Sequence, residues 1–184
     1  FNALEQNGEL KSGDATARAK LNRRLTKHRV VLQTAHLPSD ARKALRVTVN
    51  ADGRLTQRSP STYTVVVGTA PALLRIHHQS MPFLSTTTEL KPSGGTPSQT
   101  VVPIGFKRRL TLSTGTMPTT LASDFELRSD SHSLARRVNN RQWDVWFGTR
   151  STRIAVESSK HKGIDQIIEL QPDGSVSRSE TVNL

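Results

Sequence analysis

The sequence predicts an α+β, mainly β fold: an N-terminal amphipathic basic helix packed on an antiparallel sheet, sandwich or partly open barrel of about 7–9 short strands. Three observations predict it: a helix-period stripe of leucines within residues 14–32, a period-two alternation from Leu45 onward, and Asp-Gly turns between alternating segments. The length of 184 residues suits one domain with an appendage. The expected organisation is a flexible arm over 1–13 and a single β-rich domain over 14–184, with the basic helix at 14–32 and a long flexible loop at 85–100.

Residues 1–13 are polar and carry Gly8 and Gly13. Asp14 reads as a helix N-cap, and no breaker follows before the β-branched pair Val30-Val31. At about 100° per residue, Leu21, Leu25 and Leu32 share a narrow sector. Lys20, Arg23, Arg24 and Lys27 lie opposite, with Arg18 and Arg29 on the flanks.

From Leu45 the period changes. Leu45, Val47 and Val49 alternate with Arg46, Thr48 and Asn50. Asn50-Ala51-Asp52-Gly53 then predicts a hairpin, since Gly supplies the positive φ of tight hairpin turns. Arg54-Leu55-Thr56 begins the return strand. Thr62–Val67 and Ala72–His78 read as strands separated by Pro71. Residues 85–100 have loop composition, and 114–124 form a second loose stretch. Strands are expected at 101–104, 106–113, 143–147, 153–157 and 164–170, and a short helix at 133–140. Gln171-Pro172-Asp173-Gly174 predicts a closing hairpin. Aligned on Asp-Gly, the two hairpins match Val47/Ile168, Val49/Leu170 and Leu55/Val176. Convergence of a common turn accounts for this, since nothing outside the turns aligns.

The formal net charge is +11, from 26 Lys and Arg against 15 Asp and Glu. Residues 11–58 hold twelve of those cations and three of the carboxylates, so +9 of the surplus lies in about a quarter of the chain. A local excess of this kind is an electrostatic footprint for phosphates. If it met about six to eight phosphates, affinity would fall by roughly three or more decades between 50 and 200 mM salt. Two further basic groups are Lys107, Arg108 and Arg109 at a strand start, and Arg136, Arg137 and Arg141 before Trp143. Alternation sends Arg108 to one face and its two neighbours to the other. Arginines interleaved with aromatics suit a single-stranded nucleic acid, where rings stack bases and guanidinium groups hold phosphates. Trp143 and Trp146 face opposite sides of a strand, which leaves one of them free to be exposed.

The residues expected to touch nucleic acid are therefore Arg18, Lys20, Arg23, Arg24, Lys27, Arg29, Lys107, Arg108, Arg109, Arg136, Arg137, Arg141 and Trp143. Catalytic chemistry is not legible. G-x-S-x-G, the P-loop, H-E-x-x-H and G-x-G-x-x-G are all absent. The chain has no cysteine, so disulfides and thiolate metal sites are excluded. His77 and His78 are strand neighbours on opposite faces and do not easily share an ion. The run from Ser129 through Asp130, Ser131 and His132 to Ser133 reads as a turn and helix cap. Asp124 and Glu126 are spaced to share a strand face; Asp165 and Glu169 meet only on a helix. Salt bridges to arginine are the expected role of these acids. No enzyme activity, cofactor or metal is expected.

No apolar run approaches the roughly 18 residues of a membrane helix. Residue 1 is Phe, which leaves room for a targeting segment removed upstream and leaves the compartment open. The expected function is a non-enzymatic, RNA-binding structural subunit of a larger assembly, of ribonucleoprotein or viral coat type. The alternative is a protein-interaction or self-assembly subunit of pilus, tail or secretion-system type, without nucleic acid.

Overall fold

The computed structural model describes residues 25–113, 115, 124–158, 160 and 166–184. The elements in order are β1 (Thr26–Gln33), α1 (Ser39–Ala44), β2 (Leu45–Val49), β3 (Gly53–Ser59), β4 (Thr62–Val67), β5 (Ala72–His78), a 3₁₀ turn (Pro82–Leu84), β6 (Thr86–Leu90) and β7 (Ser98–Pro103). They continue as β8 (Phe106–Ser113), β9 (Phe125–Ser129), β10 (Ser133–Asn139), β11 (Gln142–Phe147), β12 (Thr152–Ser158), β13 (Gln166–Leu170) and β14 (Ser177–Asn183).

The fold class differs from the sequence expectation. The described chain is nearly all β, and no N-terminal helix packs on a sheet within it. Residues 14–24 of the expected helix lie outside the described residues. Residues 26–32 are a strand, with Thr26, His28, Val30 and Leu32 buried and Lys27 and Arg29 exposed. Two of the four buried side chains are polar. That hides the period of two and leaves the leucine spacing as the louder signal. Residues 133–139 are likewise strand β10, not helix. Residues 85–100 are not one loop, because β6 and the start of β7 fall inside them.

Packing divides the chain into two compact units. One comprises Phe1–Leu32, Arg46–Ile76 and Thr87–Val102, the other Gln33–Leu45, His77–Thr86 and Pro103–Leu184. The strands form sheets ordered β3-β4-β1-β7 and β2-β5-β6, then β10-β11-β8-β14 and β13-β12-β9. Each set pairs a four-stranded sheet with a three-stranded one. In the second unit the core joins both sheets: Phe106, Leu110 and Leu112 of β8 and Trp143, Val145 and Phe147 of β11 pack with Phe125, Ile154, Val156 and Leu170. Burial of such side chains stabilises by roughly 1.5–3 kcal/mol each.

The two halves are copies in layout. Strands starting at 26, 45, 53, 62, 72 and 86 recur at 106, 125, 133, 142, 152 and 166, a shift of 80 each time. Lys27/Lys107, Arg29/Arg109, Gly68-Thr69/Gly148-Thr149, Glu89-Leu90/Glu169-Leu170, Pro92/Pro172 and Gly94/Gly174 are identical at this shift. A β-bulge recurs too, between Gln57 and Ser59 and between Arg137 and Asn139. The halves thus repeat at a shift of 80, a register other than the one in which the two Asp-Gly turns align.

Neither Asp-Gly turn closes a hairpin. The first joins β2 and β3, which belong to different sheets. Asn50 Oδ1 there accepts from Leu73 N–H (2.9 Å), as Asp130 Oδ2 accepts from Arg153 N–H (3.2 Å). Gly53 is not at positive φ. It is needed for space, since a Cβ would lie 2.7 Å from Val49 Cγ2. The second turn is a crossover: β14 leaves β13 and pairs in parallel with β8.

Buried polar side chains hold these crossovers. Arg108, 1% exposed, donates from Nη1 to the carbonyls of Lys107 and Ser175 (both 3.0 Å). Its Nη2 donates to the Gln171 carbonyl (3.2 Å) and Asp173 (2.5 Å), and Nε faces Glu180 (3.2 Å). The two terminal nitrogens thus make four hydrogen bonds, and Nε adds an ion pair. At the equivalent position, His28 Nδ1 lies 2.6 Å from Ser98 Oγ. The Lys91 carbonyl, counterpart of that of Gln171, faces the same ring. Next to it, Thr26 Oγ1 accepts from Ser93 N–H (2.7 Å).

Two stability outcomes follow from this packing. Gly68 and Gly148 are equivalent, yet a Cβ at Gly148 would sit 2.1 Å from the Phe83 carbonyl oxygen while one at Gly68 meets nothing within 4 Å. Gly148→Ala is expected to cost about 1–3 kcal/mol in urea unfolding, and Gly68→Ala to be neutral or slightly stabilising. Equal effects would contradict the packing.

The second outcome concerns pH. Burial holds His28, His36 and His78 below the ordinary histidine range, partly offset by facing carbonyls of Lys91, of Ile104 and Gly105, and of Ala41 respectively. Unfolded rings take up a proton near pH 6.5 while the folded ones resist it, so the unfolded state binds more protons and stability falls as pH drops through that value. The depressed carboxyls of Asp40, Asp130, Asp144 and Asp173 act only below their ordinary value of 3.8. The urea midpoint is therefore expected to be lower at about pH 5.5 than at about 7.5; an unchanged midpoint contradicts it.

Candidate functional site

Strand alternation decides which cations reach solvent. On β1, inward Thr26, His28, Val30 and Leu32 leave Lys27 and Arg29 on the outer face of the β3-β4-β1-β7 sheet. Val66 lies opposite Lys27 and Thr64 opposite Arg29 on β4. Arg54 and Thr56 of β3 extend the same two rows. The bulge turns Arg58 onto this face, where Nε donates to Thr64 Oγ1 (3.4 Å). Lys27, Arg29, Arg54 and Arg58 are all exposed, and among the described residues none of them has an ion-pair partner. The strand residues of β1, β3 and β4 around them on that face are Val31, Thr56, Thr62, Thr64 and Val66, and β7 beside β1 holds no acidic residue either. Four cations with no carboxylate between them make this a positively charged patch. No aromatic lies in these rows, so the face carries no ring on which a base could stack.

On the equivalent face of the second unit the cations are paired with carboxylates. Lys107 and Arg109 point outward from β8, as alternation required, and Asp144 of β11 stands opposite Arg109. Arg109 Nε and Nη2 donate to the two Asp144 oxygens (2.7 and 3.0 Å), and Lys107 Nζ lies 2.8 Å from Oδ2. Burial alone would raise the Asp144 carboxyl, but these two cations outweigh it and hold it below the usual range. Arg136 pairs with Asp40 at 3.1 Å. Trp146, on the same face, donates Nε1–H to the His36 carbonyl (2.8 Å) with Lys107 and Arg136 against its ring at 5.4 and 5.9 Å.

The remaining expected contacts are dispersed. Arg18, Lys20, Arg23 and Arg24 lie outside the described residues. Arg108 is sealed in the core. Arg137 lies 5.1 Å over the Trp143 ring and donates to the Asn139 carbonyl, and Arg141 sits in the β10–β11 turn. Trp143 and Trp146 do face opposite sides, but both are buried, at 3% and 7% exposure, so neither offers a stacking platform. Reading the chain one residue at a time missed Arg54, Arg58 and Asp144. Alternation in β3 was a usable signal for Arg54, whereas the partner of Asp144 follows only from strand register.

The catalytic suspects do not assemble. His132 turns a single nitrogen, Nδ1, toward both Ser131 Oγ (3.3 Å) and Asp130 (3.9 Å), whereas a relay needs both ring nitrogens. Asp130 instead braces its turn, accepting from His132 N–H, Ser133 Oγ and Thr152 Oγ1. His77 is exposed and His78 buried, on opposite faces of β5. Asp124 pairs with Lys160, and Glu157 with Arg128. Asp165 lies outside the described residues, and Glu169 is on a strand. Among the described residues no group of three potential metal ligands converges, and no helix is long and apolar enough to cross a membrane.

No family profile matches the chain, and no curated protein matches it in sequence. Among solved structures, an endo-fucoidan hydrolase of glycoside hydrolase family 107 aligns at 11% identity and a TM-score of 0.24, covering 77% of this chain. This chain spans only 24% of that enzyme. A family 41 carbohydrate-binding module from streptococcal virulence factors, described for α-glucan recognition, aligns at 9% identity and 0.29, covering 85% of this chain and 94% of the module. The major pilin subunit of Bacillus cereus aligns at 11% and 0.25, over 89% of this chain and 57% of the pilin. The site is therefore read from its own geometry.

Proposed function

We propose that this chain is a non-enzymatic binding subunit that grips the phosphate backbone of a nucleic acid, RNA in the first place, through the outer face of the β3-β4-β1-β7 sheet. The observation that carries this reading is the group Lys27, Arg29, Arg54 and Arg58, exposed on one sheet face without a carboxylate counter-ion among the described residues. The overall charge of +11 supports the same partner class by raising the local concentration of polyanions. The absence of aromatic side chains from these rows implies recognition of backbone charge rather than of sequence.

Four phosphate contacts on a single strand predict a salt slope near −3, so affinity falls by about 50-fold between 50 and 200 mM salt. Fluorescence anisotropy with oligouridylate measures this. Replacing Lys27, Arg29, Arg54 and Arg58 together by Gln is expected to abolish most of the slope. Retention of the full slope in that variant would locate the binding elsewhere.

A second reading has its own observation. Among the described residues the three most exposed large hydrophobics, Val101 at 45%, Val138 at 47% and Ile167 at 69%, lie on β7, β10 and β13. Each of these is an edge strand of its sheet, and apolar edge strands are templates for pairing with another chain. Concentration-dependent self-association in nucleic-acid-free protein, seen by native mass spectrometry and reduced by Ile167→Lys, supports an assembly subunit. A strict monomer argues against it.

A further inference from the structure

We infer that Asp144 is a specificity determinant, an internal carboxylate that occupies in the second unit the anion position that the first unit leaves open to a ligand. This inference rests on the proposed polyanion binding and narrows it to one of two equivalent faces.

The argument starts from the 80-residue shift. Lys27 and Arg29 of β1 correspond to Lys107 and Arg109 of β8, and both pairs point outward from corresponding strands of corresponding sheets. The backbone offers the same cation pair twice. What differs is the neighbour across the ladder. Thr64 stands opposite Arg29, and Asp144 stands opposite Arg109. The Asp144 side chain is only 10% exposed and holds Arg109 through both oxygens, with Lys107 on one of them. Carboxylate and phosphate use the same fork of guanidinium donors. The second face is therefore already filled by a ligand of its own chain. The other outward positions follow suit: Arg54 and Arg58 are replaced by Leu134 and Val138, and the extra cation, Arg136, is paired with Asp40. An anionic ligand approaching this face meets three cations already paired with two carboxylates, against four cations and no carboxylate on the first face.

The test uses the full chain, a labelled oligouridylate of about 12 nucleotides, and circular dichroism melting to confirm that each variant folds. Lys107→Gln/Arg109→Gln is expected to leave affinity within about twofold, whereas Lys27→Gln/Arg29→Gln lowers it at least tenfold and takes about 1.4 from the salt slope. Asp144→Asn is expected to tighten binding by about tenfold and to add a similar amount to the slope. That gain disappears when Lys107→Gln/Arg109→Gln is added. Thr64→Asp, the converse change, places a carboxylate opposite Arg29 and beside Arg58 and is expected to weaken binding at least tenfold. The inference is overturned if Lys107→Gln/Arg109→Gln weakens the parent as much as the β1 pair does, or if folded Asp144→Asn shows no gain. Should Asp144→Asn not fold, unchanged affinity of Thr64→Asp overturns it. A parent chain that fails to bind at low salt defeats the proposed function. In that case binding acquired by Asp144→Asn still upholds the masking, and its absence defeats that as well.

Discussion

Each repeat depends on how its last strand changes sheets. β14 leaves the sheet of β13 and enters the opposite one, parallel to β8. A chain that crosses between layers carries carbonyl groups past the apolar core, and each must find a donor. Arg108 supplies donors from inside, reaching the Gln171 and Ser175 carbonyls and the Asp173 and Glu180 carboxylates with one planar group. A buried charge of this kind is costly unless fully paired, and removal of one partner typically costs about 3–5 kcal/mol. The first repeat has smaller polar groups at its crossover: His28 Nδ1 pairs with the Ser98 hydroxyl, and Thr26 Oγ1 accepts from Ser93 N–H.

That requirement also shapes the surface. With positions 28 and 108 committed to the interior, the residues on either side must point outward, because successive strand side chains alternate. Lys27, Arg29, Lys107 and Arg109 are outside for this reason. Whether they act as free charges is then a matter of one cross-strand neighbour. Thr64 leaves a cation exposed, and Asp144 satisfies two of them. Oppositely charged residues facing each other across an antiparallel pair stabilise the sheet, so the second unit uses its cations for structure while the first presents them to solvent.

Much of the β pattern was legible along the chain. Leu45–Val49, Thr62–Val67 and Ala72–His78 alternate cleanly, and Phe106–Ser113 does so even through the buried Arg108. The opposite orientations of His77 and His78 and of Trp143 and Trp146 follow from the same rule. The misread segments are those whose inward residues are polar. His28 and Thr26 on β1 mimic a helix surface, and Ser133 at the start of β10 mimics a cap. The repeat was visible as Glu89-Leu90-x-Pro92-x-Gly94 and Glu169-Leu170-x-Pro172-x-Gly174, but the shared Asp-Gly dipeptides drew attention to another register.

The sequence by itself determined the β-rich class, the concentration of basic charge before residue 59, and the faces taken by residues within each strand, because alternation is a local property of extended backbone. Only the tertiary structure decided which cations remain free. Ion pairing depends on residues brought opposite one another by strand register, such as Arg109 and Asp144, 35 positions apart. Arg108 and Arg109 are adjacent and chemically alike, yet one is enclosed by a crossover and the other lies half open beside a carboxylate. Of the basic surface read along the chain as a helix, the described members Lys27 and Arg29 lie with Arg54 and Arg58 on one exposed face of a sheet, brought together by pairing across strands rather than by spacing along them.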